Sequence, residues 1–172
     1  MDVDLSDMKP PHVPARFRAG GHLPRLLWML MLLLLSVGAQ AQSPLQHLTA
    51  GDRAEIAVYR LDTDVLARLQ AVVAESHSLH IRKSSLDMRR VHSIDDMARQ
   101  LAAVDPRITP LLVRHGFSPH QFVVANLALV ATAISVSAKR QAPGRFADTP
   151  NMRFYERHEA QVQRLLQSAS RP

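Results

Sequence analysis

The sequence predicts an all-α protein, a small irregular bundle of four main helices around a central apolar helix at about 119–139. Three observations carry the prediction. Apolar residues recur three and four positions apart in four separate stretches, the periodicity of helices with one buried face. Residues that open helices stand in front of these stretches: Asp62, Ser93, Ser118 with Pro119, and Asn151. Alternation of period two is confined to residues 56–61, too isolated to imply a sheet.

Residues 1–41 read as a secretory signal peptide. Arg16, Arg18 and Arg25 precede 12 uncharged, almost wholly apolar positions at 26–37, and Ala39-Gln40-Ala41 follows with small side chains at 39 and 41. A basic leader, a short apolar stretch and an Ala-x-Ala end form the export pattern, with cleavage after Ala41. The stretch is shorter than the roughly 20 apolar residues of a membrane-spanning helix, so no stable membrane span is expected after cleavage. Asp2, Asp4 and Asp7 are foreign to such a leader, and Met8, followed by Lys9, would start one free of acids. Met8 is therefore the expected initiator.

Residues 42–60 lack helical periodicity and read as a flexible or extended segment, with Ile56, Val58 and Arg60 alternating with their neighbours. The helical domain is expected over 61–168. Its first helix opens near Asp62-Thr63, and Val65, Leu66, Leu69, Val72 and Val73 form its apolar stripe to about Ser76. Serines interrupt the apolar residues of 77–92, which predicts a loop with one helical turn. Ser93 opens a second helix, with Asp96 at the capping-box position and Ile94, Met97, Ala98 and Leu101 as the stripe to Val104.

Asp105-Pro106 begins a short helix carrying Ile108, Leu111 and Leu112. Pro110 fits only in its first turn, and Gly116 stops it in the left-handed conformation. Ser118-Pro119-His120-Gln121 then combines an N-cap, a proline at the first helical position and a returning capping-box partner. From Gln121 to Ala138 there are 18 residues without a charge, so this helix must be covered by others. The small pairs Ala128/Thr132 and Ala131/Ser135 let neighbouring backbones come close. Asn151 is the expected cap of a last helix bearing Phe154, His158, Val162 and Leu165, and the tail from 169 to 172 is expected to fray.

Composition narrows the function. The 172 residues are 47% apolar and 21% charged, with no cysteine, which excludes disulfide scaffolds and thiolate metal sites. Removal of the leader reduces 21 basic and 15 acidic residues to 17 and 12, a charge of +5 on 131 residues. The basic residues are scattered as pairs such as Arg82-Lys83, Arg89-Arg90 and Lys139-Arg140. Nucleic-acid binding needs a stripe or run, so it is not expected.

Two segments carry a resemblance. His115-Gly116-Phe117-Ser118-Pro119 leads into Phe122-Val123-Val124, and Asn151 precedes Phe154-Tyr155. With the exported leader, the stretch from Leu61 to Leu166 resembles a group of small exported helical proteins of proteobacteria to which no activity is assigned. The resemblance implies a bacterial, periplasmic or secreted helical domain and supplies no catalytic residue.

Candidate chemistry is sparse. His77 and His80 are three apart and would share a helix face, a spacing at which two imidazoles hold one metal. His92, His115, His120, His158, Asp95 and Glu75 are the further donors available. Ser118 flanked by His115 and His120 raises a hydrolase, but no nucleophile elbow surrounds it and it already has a capping role. The acid pairs Asp62/Asp64 and Asp95/Asp96 sit at helix starts, where the helix dipole favours them. Met88 and Met97 read as gap fillers. No glycine-rich phosphate cradle exists, and no cofactor is expected. These features point to an exported interaction or ligand-binding protein that presents an apolar groove or helix face to a protein or small hydrophobic ligand. A histidine-based metal or haem carrier is the alternative.

Overall fold

A computed structural model of the chain describes residues 48–81 and 86–170. The expected signal peptide, the residues up to 47 and the last two residues of the expected frayed tail lie outside them. Among the described residues the structure holds α1 (Ala50–Val58), α2 (Thr63–Ser78), a 3-10 turn (Met88–Arg90), α3 (Ile94–Val104), α4 (Ile108–Arg114), α5 (Pro119–Gln141), α6 (Pro150–Arg157) and α7 (Glu159–Ser170), and no strand. The fold is all-α.

The axis is α5. The Ser118 hydroxyl accepts the Gln121 N–H at 3.1 Å while the Gln121 side chain accepts the Ser118 N–H at 2.9 Å, so two open donors at the helix start are satisfied at once. Pro119 occupies the first turn, and Lys139 and Arg140 the last. Val123, Val124, Ala125, Leu127, Ala128, Leu129, Thr132 and Val136 are buried. Its polar side chains are absorbed internally: Thr132 donates to the Ala128 carbonyl at 2.7 Å, Ser135 to Ala131 at 2.9 Å and Asn126 to Phe122 at 2.8 Å. Helices α1, α3, α4 and α6 all pack on α5. The helix is long and apolar enough to cross a bilayer by length and composition, and here those four helices bury one side of it while Ile134 stays exposed. An outer pair, α2 and α7, runs side by side and joins the rest through α4 and α6.

Several boundaries differ from the sequence expectation. Residues 50–58 form a helix where a flexible or extended segment is read from the pattern. Thr49 and Asp52 form a reciprocal capping box, with both hydrogen bonds at 3.1 Å. Leu48 and Ile56 are buried. Ile56 is the one buried residue of α1, so tertiary packing holds a helix whose apolar stripe is too thin to register as periodic. At the other end, α7 continues to Ser170, past the expected limit at 168. The short helix starts at Ile108 rather than at Pro106. Asp105 instead folds back on Arg107, accepting its backbone N–H at 2.9 Å and its guanidinium at 2.7 and 3.0 Å. These bonds from Arg107 hold the Asp105 carboxyl down at about 2. Pro110 does fall in the first turn, and Gly116 has φ +72°. A Cβ there would also lie 3.1 Å from the Arg68 guanidinium, which donates to the Gly116 carbonyl at 3.0 Å.

The last helix is two helices. His158 interrupts it with φ −114° and ψ 19°, which lets α6 lie on α5 while α7 turns to α2. Asn151 is not its cap. Thr149 caps α6 by accepting the Met152 N–H at 3.2 Å, with Pro150 in the first turn. Asn151 instead clamps the α1–α2 connection: its amide donates to the Tyr59 carbonyl at 2.7 Å and its oxygen accepts the Leu61 N–H at 3.0 Å. Ser93 does cap α3, accepting the Asp96 N–H at 3.1 Å, but Asp96 reaches back to the His92 N–H at 2.9 Å instead of closing the box on Ser93.

The Asn151 geometry separates two roles. As a cap, aspartate would replace asparagine without loss; as a clamp it would lose its donor and set a charge against the Tyr59 carbonyl. Asn151→Asp and Asn151→Ala are each expected to destabilise the fold by about 1–3 kcal/mol in urea unfolding. An unchanged midpoint for Asn151→Asp would return the residue to a capping role.

Candidate functional site

The two histidines expected to share a face do not do so. His77 lies in the last turn of α2, and its Nε2 is 3.1 Å from the Ser168 carbonyl of α7. His80 lies beyond the end of α2 at φ +49° and binds the Ser78 carbonyl through Nδ1 at 3.0 Å. The helix ends between them because Leu79 and His80 close it with N–H bonds to Glu75, His77 and the turn before. Among the described residues, no group of three or more His, Asp or Glu is arranged to hold a metal ion.

His115, His120 and His158 meet carboxylates or a ring, and none of them is hydrogen-bonded to Ser118. Glu75 on α2 accepts from Arg114 and lies 2.6 Å from His115 Nε2. The hydrogen bond from Arg114, then that from His115, lowers the Glu75 pKa. His115 thus ties the end of α4 to α2. His158 stacks on Phe154 with 4.5 Å between ring centres and binds Gln161 at 3.2 Å. Ser118 keeps its hydroxyl on the α5 N-terminus, away from any base. Met97 is buried in the core.

His120 is the most heavily partnered. Its Nδ1 is 2.7 Å from Asp95 on α3, and its Nε2 is 3.0 and 3.1 Å from the two oxygens of Glu55 on α1. Both ring nitrogens face acceptors, so the imidazolium fits this site and neutral imidazole fits it less well. Partial burial opposes the charge, but the hydrogen bonds to Asp95 and Glu55 outweigh it and the pKa is raised. Three helices meet at one imidazole. Glu55 is absent from the residues singled out in the sequence, because its helix is itself illegible there.

A concavity lies between α2 and the α6–α7 pair, in two halves that share Gln70. One half, about 380 Å³, is lined by Thr63, Leu66, Ala67, Gln70, Arg157, His158, Ala160 and Gln161. The other, about 530 Å³, is lined by Gln70, Val73, Ala74, His77, Arg164, Leu165 and Ser168. The floor is aliphatic and the rim carries one arginine and one histidine in each half. No carboxylate lines either half. The helix faces explain this: Asp64 of α2 pairs with Arg68 at 2.9 Å, Glu75 is taken by Arg114 and His115, and Glu159 of α7 is held by Arg140 at 2.7 and 2.8 Å. One sequence signal does point here. Neither Arg157 nor Arg164 has an acid three or four positions away, unlike a helix laced with its own ion pairs.

Comparisons with protein-family models, with curated proteins and with solved structures give no match.

The His120 junction has a pH signature with a definite sign. A raised folded-state pKa means that the stabilisation is complete below the ordinary histidine value of 6.5 and is lost as pH rises through the raised value. Thermal midpoints are expected to fall between about pH 6 and pH 9 in the native chain and to fall less in His120→Gln. Parallel curves for the two proteins would show that the junction contributes nothing.

Proposed function

We propose that the chain is an exported binding protein without catalytic activity of its own, which receives an apolar-faced protein segment or small hydrophobic ligand in the groove between α2 and α6–α7. One observation carries the reading: the groove has an aliphatic floor and an acid-free polar rim on the pair of helices outermost from α5. Binding sites of this kind are mostly apolar with a few polar groups that fix orientation. The histidines support it from the other side, since His115, His120 and His158 are engaged with Glu75, with Glu55 and Asp95, and with Phe154 and Gln161. That weakens the metal or haem carrier, which needs them free to converge.

The export pattern of residues 1–41 supports a periplasmic or secreted site of action. A domain without cysteine suits that compartment if helix packing alone sustains the fold.

The absence of cysteine also makes the test clean. Ala67→Cys in the groove and Ala103→Cys on the exposed side of α3 each provide a unique attachment point for a photo-crosslinker. In the envelope fraction of a bacterial host, the mature chain is expected to begin at Gln42 and to form a discrete adduct only from position 67. Retention of residues 1–41 in the cytoplasm, or equal labelling from both positions, would contradict the proposal.

A further inference from the structure

The charge of the groove specifies its occupant. Arg157 on α6 lines one half and Arg164 on α7 the other; both are exposed, and no carboxylate lines either half. The carboxylates nearest the groove are engaged with other groups: Asp64 with Arg68, Glu75 with Arg114 and His115, Glu156 with Lys139, and Glu159 with Arg140. The groove is left with two exposed guanidinium groups above an aliphatic floor.

Its shape is that of a seat for a helix. The lining of α2 runs from Thr63 to His77, which spans about 21 Å at 1.5 Å per residue. Ala67, Ala74 and Ala160 keep that floor low, so that another backbone can approach closely. Both halves are open troughs, and an acyl chain lying in them would keep one side in water. An amphipathic helix has a polar side to present there.

We infer that the groove receives an acidic amphipathic helix of a partner protein, about four turns long, with an apolar stripe on Ala67, Val73, Ala74 and Ala160 and carboxylates against Arg157 and Arg164. The inference rests on the groove being the binding site, as proposed above. It adds the sign of the partner's charge and its secondary structure.

The test uses three synthetic amphipathic peptides of about 16 residues with one leucine stripe, flanked by glutamate, glutamine or lysine and titrated against the folded protein by fluorescence anisotropy. The glutamate peptide is expected to bind roughly tenfold more tightly than the glutamine peptide, and the lysine peptide more weakly still. The double variant Arg157→Glu with Arg164→Glu is expected to reverse that order. Ala67→Trp, at an exposed position, is expected to fill the floor and weaken all three. Thermal unfolding of both variants checks that they fold.

Equal affinity for all three peptides, lost in Ala67→Trp, would overturn the acidic partner and keep the groove. Binding unaffected by Ala67→Trp, or none by any peptide, would overturn the groove as well. Sedimentation of the protein with phosphatidylglycerol vesicles, without binding of the glutamate peptide, would make the partner a membrane surface and overturn the inference.

Discussion

Eighteen consecutive uncharged residues from Gln121 to Ala138 cannot face water all round a helix, and the rest of the structure is arranged to bury their most apolar side, from Val123 to Val136. Burial of such a helix contributes on the order of 25 cal/mol for each Å² of apolar surface removed from water. With no cysteine to cross-link the chain, that burial must carry the fold. Helices α1, α3, α4 and α6 lie directly on α5, and the short side chains of Ala125 and Ala128 let them approach. Leu111, Leu112, Phe117, Met152 and Tyr155 complete the buried shell.

Polar contacts then fix which helix lies where. They are few, long in sequence and placed at helix ends. Asn151 clamps Tyr59 and Leu61 some ninety residues away. Glu75 gathers Arg114 and His115, and His120 gathers Glu55 and Asp95. Arg68 donates to the Gly116 carbonyl and lies 4.7 Å above the Phe117 ring. Most of these groups are partly exposed, so each is weak as a source of stability, yet each is directional and so selects one arrangement of greasy cylinders over others. His115 and His120 are spent in this way, and no metal-binding cluster forms among the described residues.

Most of the fold is legible in the sequence, for reasons that also explain the misses. Local signals were read correctly where one stretch of chain decides the outcome: the Ser118–Gln121 box, the left-handed Gly116, the stripe Ile94, Met97, Ala98. Signals failed where distant chain decides. Helix α1 exists because Ile56 and Leu48 find the core, which no window around residue 50 reveals. The break at His158 arises because α6 and α7 serve different neighbours. Asn151 looked like a cap because asparagine before an apolar stripe commonly is one. The candidate site was less legible still. His77 and His80 satisfied a spacing rule that holds only while the helix continues, and it stops between them. The groove emerges only when α2 and α7 are brought side by side.

Helix α5 is thus the packed axis of the fold, and the α2/α7 face is left open to bind. Hydrogen exchange read by mass spectrometry, with and without the glutamate-flanked peptide, tests both halves at once. Amides of 123–136 are expected to exchange last in the free protein and not to change on binding, while protection rises in 63–77 and 157–168. Fast exchange in 123–136, or new protection on α5 instead of on the outer pair, would contradict this arrangement.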